Sequence, residues 1–168
     1  ILVGLYVEDI EAVDAVLGRI FAVLSAKDQL ENTVVVVTAD HGEELFDHGW
    51  VGHASTAIQA KLESEVLRVP LIVAGPGVPP GKTHDGLVQH VDLLPTLCRL
   101  LRLETPPDLD GRAVRFGRRG VSSRRDAVYF DTSTGGNLTP TERRRDRLRG
   151  VSDGRCLLVR TAVAGRPP

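Results

Sequence analysis

The sequence contains few cysteines and no long apolar segment. Cys98 and Cys156 lack the short spacing of thiolate ligands, which excludes a structural zinc site of the cysteine type. The surrounding pattern predicts that each is a small core residue, Cys98 on a helix and Cys156 in a strand, and leaves a disulfide between them open. No apolar stretch approaches the roughly 18 residues that cross a bilayer, and no signal-peptide pattern is visible, so we expect no membrane segment.

Aromatic residues are equally scarce, at 4% of the chain. The net charge of −1 conceals a basic C-terminal segment, because residues 1–70 hold 12 acidic and 4 basic side chains whereas residues 111–168 hold 5 and 14. Such a segment could contact phosphates, but only Tyr129 and Phe130 lie near its arginines, so no stacking platform for nucleic acid is evident. We expect a solvated basic surface and no nucleic-acid partner. The arginines concerned are Arg118, Arg119, Arg124, Arg125, Arg143, Arg144 and Arg145.

The periodicity of the first 111 residues predicts an α/β core. Residues 7–24 place apolar side chains at helical spacing, with acidic residues near the start, where they favour the helix. Residues 33–38 form a β-branched run without alternation, which predicts a central strand of a parallel sheet covered on both faces. The other predicted elements are helical residues 57–67, a second buried strand at 71–74, and a helix at 93–101 capped by Asp92.

Beyond residue 111 the composition changes to Arg, Ser and Gly with short apolar runs. Residues 127–130 predict a strand. Residues 148–151 and 156–161 flank a Ser-Asp-Gly turn signal, whose glycine can adopt a positive φ, so they predict an antiparallel hairpin.

Asp40, His41 and Gly42 directly follow the predicted central strand. Ligands of open α/β sheets bind at the carboxyl ends of strands, where the loops diverge and leave a crevice. A carboxylate beside an imidazole at such a strand end is a plausible ligand pair for a divalent cation. Gly42 would let the backbone turn away without a side chain that blocks the approach.

Several motifs in the same order carry a resemblance. They are residues 38–44 (Thr-Ala-Asp-His-Gly-Glu-Glu), 47–49 (Asp-His-Gly), 68–78 (Arg-Val-Pro-Leu-Ile-Val-Ala-Gly-Pro-Gly-Val), 91–97 (Val-Asp-Leu-Leu-Pro-Thr-Leu) and 110–112 (Asp-Gly-Arg). Together they resemble the second half of a sulfatase, a family of the alkaline-phosphatase-like superfamily. The resemblance implies an α/β sandwich with a mostly parallel central sheet, formed here by residues 1–111, and the start of a small antiparallel subdomain with Arg-rich loops at 112–168.

The resemblance also implies roles for particular residues. Asp40 and His41 would hold one divalent cation, with Ca²⁺ the expected ion and Mn²⁺, Mg²⁺ or Zn²⁺ as alternatives. His53 would contact the sulfate group or protonate the leaving alcohol, unless it is a solvent-facing loop residue. The remaining candidates are Lys61, as a substrate contact or an exposed helix residue, and Glu43 and His48, as residues that orient the ligands or are simply solvated.

The nucleophile of the family is missing from the sequence. Sulfatases carry a Cys/Ser-x-Pro-x-Arg motif whose first residue becomes formylglycine, and neither Cys98 nor Cys156 is followed by the required proline. We therefore expect the C-terminal half of an enzyme that hydrolyses a small-molecule or glycan sulfate ester, inactive without its N-terminal half. The alternatives are a phosphodiesterase, phosphonate hydrolase or phosphoethanolamine transferase of the same superfamily, and a non-catalytic module that binds anions through its arginines.

Overall fold

The computed structural model describes residues 2–49, 51–53, 62–117, 120–133 and 147–162. Three α-helices and nine short strands lie within these residues. The helices are α1 (Leu2–Ala26), α2 (Ser64–Leu67) and α3 (Leu93–Leu101), with 3₁₀ turns at Leu30–Asn32 and His90–Asp92. The strands are β1 (Val35–Thr38), β2 (Glu44–Leu45), β3 (Val51–Gly52), β4 (Leu71–Ala74), β5 (Arg115–Gly117), β6 (Gly120–Ser122), β7 (Val128–Ser133), β8 (Arg147–Ser152) and β9 (Leu157–Ala162).

Helix α1 is 25 residues long and extends beyond the predicted residues 7–24 at both ends. None of its residues is buried, and only Leu17, Phe21 and Leu24 are half-buried. Its C-terminus closes through two backbone bonds, from the Asp28 N–H to Ser25 and from the Gln29 N–H to Leu24, with Asp28 at φ +53°. This pattern satisfies carbonyl groups that the helix itself leaves unpaired. No helix among the described residues is both long and apolar enough to cross a membrane.

Strand β1 pairs with β4 in an antiparallel register that joins Val35 to Ala74 and Thr38 to Leu71. Both strands lie where the sequence predicts them, but β4 is mostly exposed and not buried as predicted. The prediction that β1 belongs to a parallel sheet is wrong for this pairing. All strand pairs among the described residues are antiparallel. A β-branched run without alternation predicts a strand with contacts on both faces, and this pattern does not specify the direction of its neighbour.

Asp92 is one of two almost fully buried carboxylates among the described residues, with a relative exposure of 1%. Its carboxylate accepts two 2.6 Å hydrogen bonds from the Arg125 guanidinium, a third from the Arg112 N–H and a fourth from the Gln89 N–H. The bounds of α3 match the prediction. Asp92 occupies the N-cap position of α3 as predicted, but its side chain makes no capping hydrogen bond to this helix and binds these three residues instead.

The pKa of Asp92 is lowered as a result of this arrangement. Burial on its own raises the pKa, but the hydrogen bonds from Arg125 and from the backbone N–H groups of Arg112 and Gln89 favour the ionised form and outweigh burial. Arg125 is also largely buried, with 8% of its side chain exposed. The pair therefore stays charged inside the protein.

The C-terminal residues form two small antiparallel sheets, β5-β6 and β7-β8-β9. The predicted hairpin is confirmed as β8 and β9, joined by a turn in which Gly154 has φ +89° and Asp153 accepts hydrogen bonds from the Arg155 and Cys156 N–H groups. Both cysteines are free, and Cys98 is buried as predicted. The prediction of a core position for Cys156 is wrong, because this residue lies in the exposed turn just before β9.

Replacing Arg125 with Met should destabilise the chain by about 3–5 kcal/mol, because Asp92 would become an uncompensated buried charge. Urea unfolding at neutral pH, followed by circular dichroism, measures this loss. Arg147→Met is the matched control, since Arg147 pairs with Asp131 at the surface, where 54% and 41% of the two side chains are exposed. Its effect should be small. Equal losses in the two variants would contradict a special role for the buried pair.

The same comparison has a defined pH dependence. The folded-state pKa of Asp92 lies below its ordinary value, so its stabilising contribution is fully present above the unfolded-state pKa and is lost as the pH falls through the folded-state pKa. The difference in unfolding free energy between the native chain and Arg125→Met should therefore shrink in acid. A difference that stays constant down to strongly acidic pH would show that Asp92 is not its source.

Candidate functional site

The segment after β1 is held against α2 by backbone contacts. The Gly42 N–H donates to the Val66 carbonyl at 2.8 Å, and the Thr38 hydroxyl donates to the Pro70 carbonyl at 2.8 Å. A Cβ atom at Gly42 would overlap the backbone of Glu65, so only glycine fits this crossing. The structure thus explains why a glycine is needed at position 42: the backbone there passes directly against the backbone of α2. This close contact fixes the position of the preceding residues Asp40 and His41.

Asp40 and His41 lie side by side at the protein surface, with 89% and 41% of their side chains exposed. The Asp40 carboxylate accepts the His41 N–H at 3.0 Å, and its other oxygen lies 3.7 Å from His41 Nε2. The His41 Nδ1 atom is 2.9 Å from the Gly42 carbonyl, which can only accept, so Nδ1 carries the proton. In the neutral ring the Nε2 lone pair then faces Asp40, and a cation bound between the two would satisfy both.

Glu43 and His53 complete a cluster around His41. The His41 and His53 rings stack with their centroids 4.1 Å apart and their planes 28° apart. His53 Nδ1 lies 3.1 Å from Glu43 Oε2, which fixes the ring by its Nδ1 side. One ligand atom from each of His41, Glu43 and His53 lies within 4.8 Å of the others. Asp40 is not a member of this group, although its carboxylate lies 3.7 Å from His41 Nε2. We call these three residues, together with the adjacent Asp40, the His41 cluster.

The second oxygen of Glu43 supports a ligand at this cluster. Oε1 is buried, and it has no hydrogen-bond partner within the described part of the chain. A buried carboxylate oxygen without a partner is costly, and a bound cation would remove that cost. The donor set of carboxylate oxygens and an imidazole nitrogen suits a divalent cation: the oxygens match Ca²⁺, Mg²⁺ or Mn²⁺, and the nitrogen also suits Zn²⁺.

His48 lies in a different group of side chains from His41. Its Nδ1 atom is 2.8 Å from Oε1 of Glu44, which is buried, and its ligand atom is close to those of Glu63 and Glu65. The hydrogen bond to Glu44 raises the pKa of His48; slight burial opposes this, and the charges of Glu65 and Glu63 add to the rise. His48 thus stays a predicted orienting residue, held by Glu44. Lys61, the predicted substrate contact, lies outside the described residues.

His90 is a positioning residue that the sequence did not identify. Its Nε2 atom lies 2.8 Å from the carbonyl of Ala39, the residue immediately before Asp40. A carbonyl only accepts, so Nε2 donates and holds the end of β1 in place. The two residues are 51 positions apart, and the local pattern around His90 indicates only a turn before a helix. The sequence predicts that Glu43 orients other ligands; in the structure its carboxylate binds His53 Nδ1 and has an oxygen within 4.8 Å of a ring nitrogen of His41.

The raised pKa of His48 gives a direct test of the geometry. Replacing Glu44 with Gln should lower the His48 pKa towards its ordinary value, because the charged hydrogen bond is the largest cause of the rise. A titration of the imidazole signals by NMR measures this shift. Glu65→Gln, which removes only a more distant charge, should lower the pKa less and keeps the test valid if Glu44→Gln folds poorly.

The raised pKa of His48 also determines how its contribution to the free energy of unfolding changes with pH. Because the folded-state pKa of His48 is raised, its contribution to stability is fully present below the unfolded-state pKa and is lost as the pH rises through the folded-state pKa.

In the NMR titration, an unchanged His48 pKa in both Glu44→Gln and Glu65→Gln would show that these two glutamates do not act on this ring.

Comparison with known proteins gives consistent matches. The sequence profile described as Sulfatase matches residues 2–103. The chain is 35% identical over 107 residues to the multifunctional alkaline phosphatase superfamily protein PehA of Trinickia caryophylli, which covers 62% of this chain and 20% of that protein. It is 31% identical over 107 residues to the extracellular sulfatase SULF-1 homolog of Drosophila melanogaster, covering 64% of this chain and 9% of the relative.

A solved structure agrees with these sequence relatives. The chain superimposes on the phosphonate monoester hydrolase SpPMH from Silicibacter pomeroyi with a TM-score of 0.63 and 25% identity, over 90% of this chain and 32% of that one. The chain thus spans about a fifth or less of the two curated relatives and about a third of the solved hydrolase. Because the family profile covers more than half of the sequence, the chain belongs to the sulfatase family and has the alkaline-phosphatase-like α/β fold.

Proposed function

We propose that the protein to which this chain belongs hydrolyses a sulfate ester with the help of a divalent cation, and that the chain supplies part of the cation and ester site. The observation that carries this proposal is the His41 cluster, in which a buried carboxylate oxygen of Glu43, without a hydrogen-bond partner among the described residues, lies beside two oriented imidazoles. Membership of the sulfatase family connects that cluster to ester hydrolysis.

Asp40 and His41 would hold the cation through a carboxylate oxygen and Nε2, with Glu43 as a further oxygen ligand. The bound cation would withdraw negative charge from the ester oxygens. The hydrogen bond from His41 Nδ1 to the Gly42 carbonyl keeps the ring in the tautomer that leaves Nε2 free. Ca²⁺ remains our first expectation from the family; the carboxylate oxygens also suit Mn²⁺ or Mg²⁺, and the imidazole nitrogen suits Zn²⁺, as alternatives.

His53 would act on the ester itself. Glu43 holds the ring at Nδ1, so the Nε2 side is left to face a bound group. A protonated His53 would donate a hydrogen bond to an ester oxygen and could pass the proton to the leaving alcohol as general acid. Its stacking on His41 at 4.1 Å keeps this nitrogen next to the proposed cation site. Lys61 remains a proposed second contact to the anionic substrate.

The nucleophile would come from polypeptide that this sequence does not contain. No Cys/Ser-x-Pro-x-Arg segment occurs in the 168 residues, and the chain covers only 20% of the first curated relative. We propose that a hydroxyl of a hydrated formylglycine elsewhere in the protein attacks the sulfur while the S–O bond to the alcohol breaks and the alcohol leaves. We also propose that residues 1–111 belong to the same core as that residue, with residues 112–168 as a small antiparallel subdomain. The chain alone would then bind a cation and would not turn over an ester.

A second candidate is hydrolysis of a phosphonate or phosphate ester at the same site. The solved structure that matches 90% of this chain is a phosphonate monoester hydrolase. Sulfate and phosphonate esters both present tetrahedral, anionic oxygens, so the His41 cluster suits either. Sulfate is preferred because the family profile and a curated extracellular sulfatase agree on it.

The cation site predicts a specific loss of metal binding. Calorimetric titration of the 168-residue chain with Mn²⁺ and Ca²⁺ should show one site, and Asp40→Ala or His41→Ala should weaken it by more than about tenfold. His84→Ala is a suitable control, because His84 contacts Ser123 and no residue of the His41 cluster. Binding that is unchanged by both cluster variants would overturn the cation site and favour the anion-binding module.

The reaction itself is tested on the whole protein. Turnover of an aryl sulfate should exceed that of an aryl phosphonate ester, and His53→Ala should lower kcat about 10²- to 10⁴-fold if His53 is the general acid. An ester with a better leaving group should recover part of this loss, since it needs less protonation. Faster hydrolysis of the phosphonate would select the second candidate, and turnover by the 168-residue chain alone would contradict the missing nucleophile.

A further inference from the structure

A cavity of about 370 Å³ lies beside α3 and is lined almost entirely by arginines. Its wall is formed by Arg99, Arg112, Ala113, Arg115 and Arg124. We propose that this arginine cavity binds an anion that carries more than one sulfate or phosphate group. It shares no residue with the His41 cluster, so the inference does not depend on the hydrolytic function proposed above.

The arginine cavity is built on buried polar contacts. The Val114 N–H donates to the hydroxyl of Thr96, a residue with 4% exposure, so the segment after Gly111 runs along α3 one turn before Arg99. The Arg112 N–H is held by Asp92, and the side chain of Arg125 binds the same carboxylate. These contacts fix the backbone next to the cavity arginines.

One guanidinium of the cavity is also held directly. Arg112 Nη1 donates to the Arg124 carbonyl at 2.8 Å, which links two walls of the cavity and leaves the other nitrogens of Arg112 available. An arginine held in this way has lost part of its conformational freedom before any ligand arrives. Binding therefore costs less entropy than it would at a freely moving side chain.

The four cavity arginines lack acidic partners in the described ranges of the chain. Arg125, Arg147 and Arg149 each form an ion pair with an aspartate, whereas no carboxylate lies within 4.0 Å of the charged atoms of the arginines lining the cavity. Four arginines line this one space, and an anion bound among them would offset the repulsion between their like charges. Guanidinium groups match tetrahedral oxyanions because two parallel N–H groups can bind two oxygens.

The volume of the cavity selects the class of anion. A small-molecule site typically measures about 300–1,000 Å³, and a water molecule takes about 30 Å³ of liquid volume. At about 370 Å³ the arginine cavity falls within this small-molecule range. Together with four cationic groups, this size fits an organic or condensed anion with at least two oxyanion groups.

Calorimetric titration of the 168-residue chain, at low salt and without added divalent cations, tests the proposal. The probes are inorganic sulfate, inorganic pyrophosphate and a disulfated disaccharide. Pyrophosphate or the disaccharide should bind at least about tenfold more tightly than sulfate, because each places two anionic groups among the arginines. The tighter of the two assigns the source as a phosphorylated or a sulfated compound.

Substitutions then locate the binding. The double variant Arg112→Gln with Arg115→Gln should lower the affinity for the preferred probe by at least about tenfold. The control double variant, Arg155→Gln with Arg160→Gln, removes the same charge from the β9 hairpin and should change the affinity less than about threefold. Arg115→Gln alone provides a second variant if the Arg112 change disturbs folding. No binding of any probe, equal losses in the two double variants, or sulfate binding as tight as the larger probes would each overturn the proposal.

Discussion

A carboxylate that is 1% exposed must be neutralised inside the protein, and Asp92 meets this requirement through its two 2.6 Å hydrogen bonds with Arg125. Gln89 and Arg112 bind the same carboxylate, and the Gln89 side chain reaches on to the Tyr129 carbonyl in β7. The start of α3, the segment after Gly111 and the C-terminal sheet therefore meet at one charge. Such a pair adds little net stability over apolar packing, but the loss of either partner is costly, so it specifies the arrangement.

The same region reaches the candidate site through His90, which lies two residues before Asp92 and binds the Ala39 carbonyl. All five histidines of the sequence have one ring nitrogen close to an oxygen: those of His41 and His90 face carbonyls, those of His48 and His53 face glutamates, and that of His84 faces Ser123. An imidazole fixed at one nitrogen presents the other in a set direction. This shared arrangement explains how a short, irregular segment after β1 can hold a defined donor set.

Local patterns in the sequence were sufficient for the longer elements. They did not reveal the short strands β2, β3, β5 and β6, and of the helix predicted at 57–67 the described residues contain only Ser64–Leu67. The run at β1, the leucines of α3 and the turn at Gly154 each encode their own structure, because propensity and periodicity act over a few residues. The antiparallel pairing of β1 with β4 could not be predicted, because the contacts that define it are distant in sequence. For example, Thr38 at the end of β1 donates a hydrogen bond to the carbonyl of Pro70, just before β4 and 32 positions away. Asp92 looked like a helix cap because its true partner, Arg125, is 33 positions away. Similarly, Asp40 and His41 were visible as a motif, whereas the bond between Glu43 and His53 depends on the fold of the intervening segment.

The two thiols of the chain have opposite environments, since Cys98 is buried in α3 and Cys156 is exposed in the turn before β9. A thiol reagent added to the native protein therefore has one accessible target, and the second becomes available only when the helix that carries it separates from its surroundings. The rate of the slower modification would report how often α3 opens, because reaction at a protected group requires a transient local unfolding event. Cys156 can therefore be labelled with a spectroscopic probe in the native protein, and the reactivity of Cys98 measures local opening of α3, the helix that begins next to Asp92.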